Sequence, residues 1–151
     1  MEKKELELYI HIPFCVRKCN YCDFLSFPAD EDTQRQYVKA LCKEIFYYGA
    51  HCRDYVVSTV YIGGGTPSWL WESDMAEIMD AVHKNFALLP DAEVSVECNP
   101  GTVTAQKFAV YRQSGINRIS LGLQSAQNVE LKMLGRIHTW EQFLKTYELA
   151  R

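Results

Sequence analysis

Nothing in this sequence is apolar for long enough to span a bilayer as a helix. Nor does one sign of charge dominate: 16 Lys and Arg stand against 19 Asp and Glu, a net charge of −3, so the electrostatic footprint of a nucleic-acid binder is missing. There are no internal repeats, low-complexity tracts or linkers. With 48% apolar and 23% charged residues, disordered and collagen-like classes are excluded. The opening Met1-Glu-Lys-Lys-Glu-Leu-Glu-Leu has no signal-peptide core, and the expectation is a cytoplasmic protein whose thiols stay reduced. The 151 residues allow one domain with a real core, and six cysteines ask for a reason other than a disulfide framework.

What is present alternates between strand and helix patterns. Leu6, Leu8, Ile10 and Ile12 face one way in a first strand ending near Pro13, with Glu7, Tyr9 and His11 opposite. Asp32 is expected to cap a helix over 33–48 with Tyr37, Val38, Leu41, Cys42, Ile45 and Tyr48 as its buried stripe, stopped by Gly49. A second strand over 55–62 breaks at Gly63-Gly64-Gly65-Thr66-Pro67, and Ser73 opens a helix carrying Met75, Ile78, Met79, Val82 and Phe86. A third strand over 93–98 sets Val94, Val96 and Cys98 against Glu93, Ser95 and Glu97. Thr104 caps the helix that ends at Gly115. A fourth strand over 117–123 places Ile119, Leu121 and Leu123 opposite Arg118, Ser120 and Gln124, and Thr139-x-x-Gln142 reads as the capping box of a last helix.

Four β/α units in series predict a parallel α/β sheet with right-handed crossovers. Strands buried on both faces would be apolar throughout, yet three of these carry a polar face. The economical reading is a curved sheet, helices outside and a polar lumen inside, which is part of a barrel. A closed eight-unit barrel needs roughly 200 residues or more, so the chain is expected to be the front part of a larger domain.

Chemistry-bearing residues collect where such folds place ligand sites, after the strands. Cys15-x₃-Cys19-x₂-Cys22 follows the first strand. Structural zinc would need a fourth ligand, from His11 or Asp23; an iron–sulfur cluster held by three cysteines would keep one iron open for chemistry. Spacing alone leaves the two comparable. Cys42 and Cys98 fall on apolar faces and read as small buried hydrophobes, and Cys52 as incidental. The triple-glycine loop is neither a P-loop nor a dinucleotide fingerprint, but it lets a ligand approach the backbone. Glu97, Gln124 and Tyr9 are expected around the same mouth, where they would suit a small zwitterionic ligand.

The run Tyr9-Ile-His-Ile-Pro-Phe-Cys15-Val-Arg-Lys-Cys19-Asn-Tyr-Cys22 resembles the signature of the radical S-adenosylmethionine (SAM) superfamily. More narrowly it is similar to the branch holding oxygen-independent coproporphyrinogen III oxidase and the HemW-type heme chaperones. The resemblance continues through Gly63-Gly-Gly-Thr-Pro-Ser68, Glu97-Cys-Asn-Pro100, Arg118-Ile-Ser-Leu-Gly-Leu-Gln-Ser125 and Leu134-Gly-Arg-Ile-His138. It implies a partial (β/α) barrel of six units, of which 1–151 would be the N-terminal portion with about four units, the remaining units and the C-terminal domain lying beyond it. It also implies that Cys15, Cys19 and Cys22 hold a 4Fe–4S cluster whose open iron chelates SAM. Tyr9, Tyr21, Gly64, Gly65, Thr66, Glu97, Gln124 and Arg136 match SAM contacts of the family. In that chemistry a reduced cluster cleaves SAM to methionine and a 5′-deoxyadenosyl radical, the protein supplying orientation and exclusion of side reactions.

One residue bears on the branch. The oxidase carries a further Cys one residue after its three cluster cysteines, whereas this sequence reads Cys22-Asp23-Phe24, the form typical of the HemW-type branch. The resemblance therefore implies a heme chaperone that binds heme and delivers it to apo-proteins. The alternative is an oxidase converting coproporphyrinogen III to protoporphyrinogen IX. Expected partners are heme or a porphyrinogen, an electron donor such as a flavodoxin or ferredoxin, and heme-receiving apo-proteins. No histidine is nominated as a heme ligand and no residue as catalytic.

Overall fold

The computed structural model describes residues 4–151, and the Met1-Glu2-Lys3 start lies outside them. Four strands, β1 (Lys4–Ile12), β2 (Tyr55–Gly64), β3 (Leu88–Cys98) and β4 (Arg118–Leu121), are parallel and lie side by side in sequence order. Helices α1 (Glu31–His51), α2 (Glu72–Asn85) and α3 (Ala105–Gln113) connect them, and α4 (Asn128–Met133) and α5 (Trp140–Ala150) follow β4. A doubly wound sheet reverses its strand order at a switch point; this one does not, which is the wall of a β/α barrel.

Strand register turns the alternating pattern into two faces. Ile10, Ile62, Val96 and Ile119 form one row across the sheet, and Tyr9, Tyr61, Ser95 and Arg118 form the next row on the opposite face. The apolar face shares one core with Val38, Leu41 and Ile45 of α1 and Met75, Ile78, Met79 and Val82 of α2. Each such side chain contributes about 1.5–3 kcal/mol on burial, so the helices settle on that face and the polar face remains for the lumen. Arg35 of α1 pairs with Asp74 and Glu77 of α2, fixing the two helices side by side.

Several boundaries differ from the sequence reading. Asp30 rather than Asp32 caps α1, its carboxylate accepting the Thr33 N–H at 2.8 Å. Gly49 does not stop the helix, which runs on to His51. The glycine is buried instead, where a Cβ would lie 2.6 Å from both Cβ and carbonyl oxygen of Asn85, so its missing side chain is what lets α1 approach α2. Tyr48, expected on the stripe, is exposed, and Gln34 is buried with its amide donating to the Ala29 carbonyl at 3.0 Å. Trp71, not Ser73, occupies the cap position of α2, where Glu72 and Asp74 meet the positive end of the helix dipole. The third strand begins at Leu88, which pairs with Val57 ahead of a register shift. The fourth is shorter than expected at both ends, and at its start the Asn117 side chain takes over the pairing, accepting the Val94 N–H and donating to the Ala92 carbonyl, each at 2.9 Å. Thr104 does cap α3, and the Thr139–Gln142 capping box forms.

Candidate functional site

The loop carrying the three thiols is anchored at both ends. Phe14 is buried edge-on against Phe27 and Tyr37, at centroid distances of 5.6 and 5.2 Å. Backbone bonds from Phe27 N–H to the Pro13 carbonyl (2.9 Å) and from Cys15 N–H to the Phe27 carbonyl (3.3 Å) close the loop's base. Its tip is tied to the turn after α4: Asn20 donates to the Leu134 carbonyl from its backbone (3.1 Å) and to the Met133 carbonyl from its side chain (3.0 Å), and Arg17 donates to the Gly135 carbonyl at 3.3 Å. All three thiols are free, Cys15 buried and Cys19 and Cys22 half-buried.

The glycine loop is built by close backbone approach. Gly64 has φ +125°, and a Cβ there would sit 2.6 Å from the Ile12 carbonyl oxygen; at Gly65 it would sit 2.6 Å from that of Phe14. No other residue type fits either place. Gly65 N–H donates to Ile12 O at 2.8 Å and Thr66 N–H to Phe14 O at 2.7 Å, which locks this loop to the thiol loop. Glu97 leans over it: one carboxylate oxygen accepts the Gly64 N–H at 3.1 Å and the other the Tyr61 hydroxyl at 2.7 Å. The Tyr61 phenol is pushed up by burial and by that carboxylate, so it remains a donor at neutral pH.

Arg136 forms the facing wall. One terminal nitrogen donates to the Tyr21 hydroxyl at 3.3 Å and lies 3.6 Å from the Cys19 sulfur; the other donates to Asn99 Oδ1 at 2.9 Å and to the Gly122 carbonyl at 3.2 Å. Asn99 in turn donates to the Thr66 hydroxyl at 2.9 Å, and its backbone N–H to the Ser68 hydroxyl at 3.1 Å. Behind them Lys107 is buried, its ammonium donating to the carbonyls of Ser68, Leu70 and Thr102 at 2.9, 2.9 and 3.2 Å. The sequence reading nominated neither Asn99 nor Lys107. A strand-end Asn beside Glu97 and Pro100 was a usable signal for the first, and nothing marked the second.

One cavity of about 200 Å³ is lined by Cys15, Cys19, Cys22, Tyr21, Gly64, Gly65, Thr66, Glu97, Gln124 and Arg136, with Asn99 and Phe24. Gln124 has φ +70°, a left-handed conformation that is unusual for a side-chain-bearing residue. Tyr9 is not in that lining. It sits lower on the lumen face, packed on Tyr61 at 6.3 Å and donating its hydroxyl to His11 Nδ1 at 3.0 Å. Cys98 is buried, and desolvation pushes its thiol up to about 12; Cys42 is half-buried and shifted the same way.

The model of the radical SAM superfamily matches residues 9–151. The chain belongs to the radical SAM superfamily. It is 43% identical to the heme chaperone HemW of Escherichia coli over 96% of this chain and 39% of that protein. To HemW of Mycobacterium tuberculosis it is 41% identical over 87% and 35% respectively. The solved structure of coproporphyrinogen III oxidase (HemN) from Escherichia coli superposes with a TM-score of 0.90 at 29% identity, covering 99% of this chain and 35% of that one. The chain thus spans about two fifths of the length of these relatives.

Radical SAM proteins as a family use a 4Fe–4S cluster and SAM. The donor set fits: the free thiols of Cys15, Cys19 and Cys22, with that of Cys98 on β3, line a cavity that also holds a carboxylate, a guanidinium and an amide. Among the described residues no three His, Cys, Asp or Glu converge on a single-ion position. His11 is committed through both ring nitrogens, to Tyr9 and to the Leu25 carbonyl at 3.0 Å. Thiols spread around a cavity suit a cluster with separate iron corners better than a tetrahedral zinc. Among the described residues no helix is long and apolar enough to cross a membrane.

Proposed function

We propose that this chain is the N-terminal, cofactor-holding part of a heme chaperone built on a radical SAM core. The observation that carries the reading is the convergence of Cys15, Cys19 and Cys22 with Glu97, Gln124 and Arg136 on one cavity. As thiolates the three cysteines would hold three irons of a 4Fe–4S cluster. When bound, the cluster supplies an electron and SAM a carbon-centred radical.

The chain's own residues bind and orient. Glu97, held by Tyr61 and Gly64, offers fixed negative charge to an amine or ribose hydroxyls. Arg136, steadied by Asn99 and the Gly122 carbonyl, offers positive charge to a carboxylate. Gly64 and Gly65 keep the floor free of side chains, Thr66 and Gln124 add polar contacts, and Tyr21 and Phe24 complete the lining. Tyr9 would act from outside this lining, against a ligand that reaches down the lumen face.

Heme as cargo is supported by the HemW relatives and by Phe24, which stands where the oxidase branch has a thiol. A flavodoxin or ferredoxin as electron donor, apo-proteins as heme recipients, and a cytoplasmic setting that keeps six thiols reduced complete the proposal. The test uses the full-length protein in two assays, heme titration by absorbance and anaerobic turnover of coproporphyrinogen III with SAM. Stoichiometric heme uptake without turnover is expected. SAM-consuming formation of vinyl groups would establish the oxidase instead.

A further inference from the structure

Arg136 has five N–H groups, and the two terminal nitrogens account for four of them, facing Tyr21, Cys19, Asn99 and Gly122. The fifth, on Nε, is buried and has no partner among the described residues. His138 shows the complementary lack. Its Nε2 lies 3.1 Å from the Leu123 carbonyl, an acceptor only, so Nε2 carries the proton. Nδ1 of the neutral ring is then an acceptor, buried and unpartnered among the described residues. Burial first, and the Arg136 charge second, push the imidazole below its ordinary pKa and keep it neutral.

An orphaned donor and an orphaned acceptor therefore belong to two residues that line the same small cavity. It measures about 20 Å³ and is also lined by Thr66, Asn99 and Thr102. A water needs roughly 10–15 Å³ of such space and two to four polar partners, so this cavity holds one water and nothing larger. We propose that a single structural water sits there, accepting from Arg136 Nε–H and donating to His138 Nδ1, and that His138 through it is a positioning residue for Arg136.

The water's second proton and lone pair remain for the Thr66, Asn99 and Thr102 groups around it. The guanidinium is thereby gripped from behind by an atom that no cavity ligand displaces, and its terminal nitrogens are aimed at the larger cavity. Leucine or phenylalanine at 138 would fill space but leave the Nε–H dry, a burden that falls on the orientation of Arg136. The functional consequence rests on Arg136 contacting SAM, as proposed above; the water itself does not.

Two measurements on the full-length protein test this. A high-resolution crystal structure is expected to show one water within hydrogen-bond distance of both Arg136 Nε and His138 Nδ1; a direct contact between the two atoms, or a dry gap, would overturn the proposal. Calorimetric titration of SAM into the anaerobically reconstituted protein is expected to weaken about tenfold in His138→Phe. His138→Gln, whose amide can both donate to Leu123 and accept from the water, should stay within about threefold of the parent. Equal affinity in all three would remove the positioning role while upholding SAM binding. Absence of SAM binding in the parent would sink the functional reading, and the diffraction result would still decide the water.

Discussion

Asn99 joins three walls of the cavity, and its loss removes two bonds at once: Thr66 loses its donor, and Arg136 loses one of the two acceptors of its Nη2, keeping the Gly122 carbonyl. A hydrogen bond to a charged group contributes about 1.5–3 kcal/mol. Asn99→Ala is therefore expected to weaken SAM binding by roughly ten- to a hundredfold while the circular dichroism spectrum is unchanged, which calorimetry and spectroscopy check. Cys98 lies one residue away and, unlike Cys19 and Cys22, is buried. With its pKa near 12 and its side chain buried, it should survive alkylation of the native apo-protein at pH 8, whereas Cys19 and Cys22 are modified; peptide mass spectrometry separates them. His138 supplies a pH signature. Its folded pKa lies below the unfolded value, so between the two the unfolded chain binds a proton that the folded one refuses, and stability falls as pH drops below about 6.5. Urea midpoints at pH 7 and 5.5 should lie closer together in His138→Gln than in the parent, because the variant lacks that loss. The meeting of the loop thiols with Glu97 and Gln124 was legible from strand ends and loop motifs, and that of Arg136 only through the family resemblance. Asn99's partners and the carbonyl cage of Lys107 were not, because they come from segments that meet only after folding.

At the scale of elements, helix boundaries followed packing where packing and local signals disagreed. Gly49 is a stop signal by composition, yet α1 continues through it because the neighbouring Asn85 requires a position without Cβ. Gly49→Ala gains helix propensity but places a methyl group within 2.6 Å of Asn85, and overpacking of that kind costs about 1–3 kcal/mol. The expected outcome is net destabilisation in urea unfolding, without loss of SAM binding in the folded protein. Asp30 and Asp32 are both good cap residues, and only the Thr33 N–H geometry separates them. The faces of β1, β3 and β4, by contrast, were readable, since a period of two survives every register in which one side is buried. Lys107 shows why a surface-looking position can be internal. α3 carries the cation to the carbonyls of Ser68 in the Pro67–Trp69 turn, of Leu70 just after it and of Thr102 between β3 and α3, while burial lowers its pKa.

For the molecule as a whole, an ordered row of parallel strands brings the loops after β1, β2, β3 and β4 to one end, so that Cys19 and Arg136, 117 residues apart in sequence, come within 3.6 Å. That convergence is the reason a chain of unremarkable composition builds one polar, thiol-lined cavity, and the partial-barrel architecture was foreseeable from polar strand faces. On the proposed function, this end of the sheet holds a 4Fe–4S cluster with one iron open to SAM. The most direct test is electron paramagnetic resonance of the anaerobically reconstituted, dithionite-reduced protein, with and without SAM, beside Cys19→Ala. The account predicts a reduced-cluster signal that changes shape when SAM is added and is lost or strongly diminished in the variant. A folded protein that takes up no iron–sulfur cluster, or a cluster signal indifferent to SAM, would contradict it.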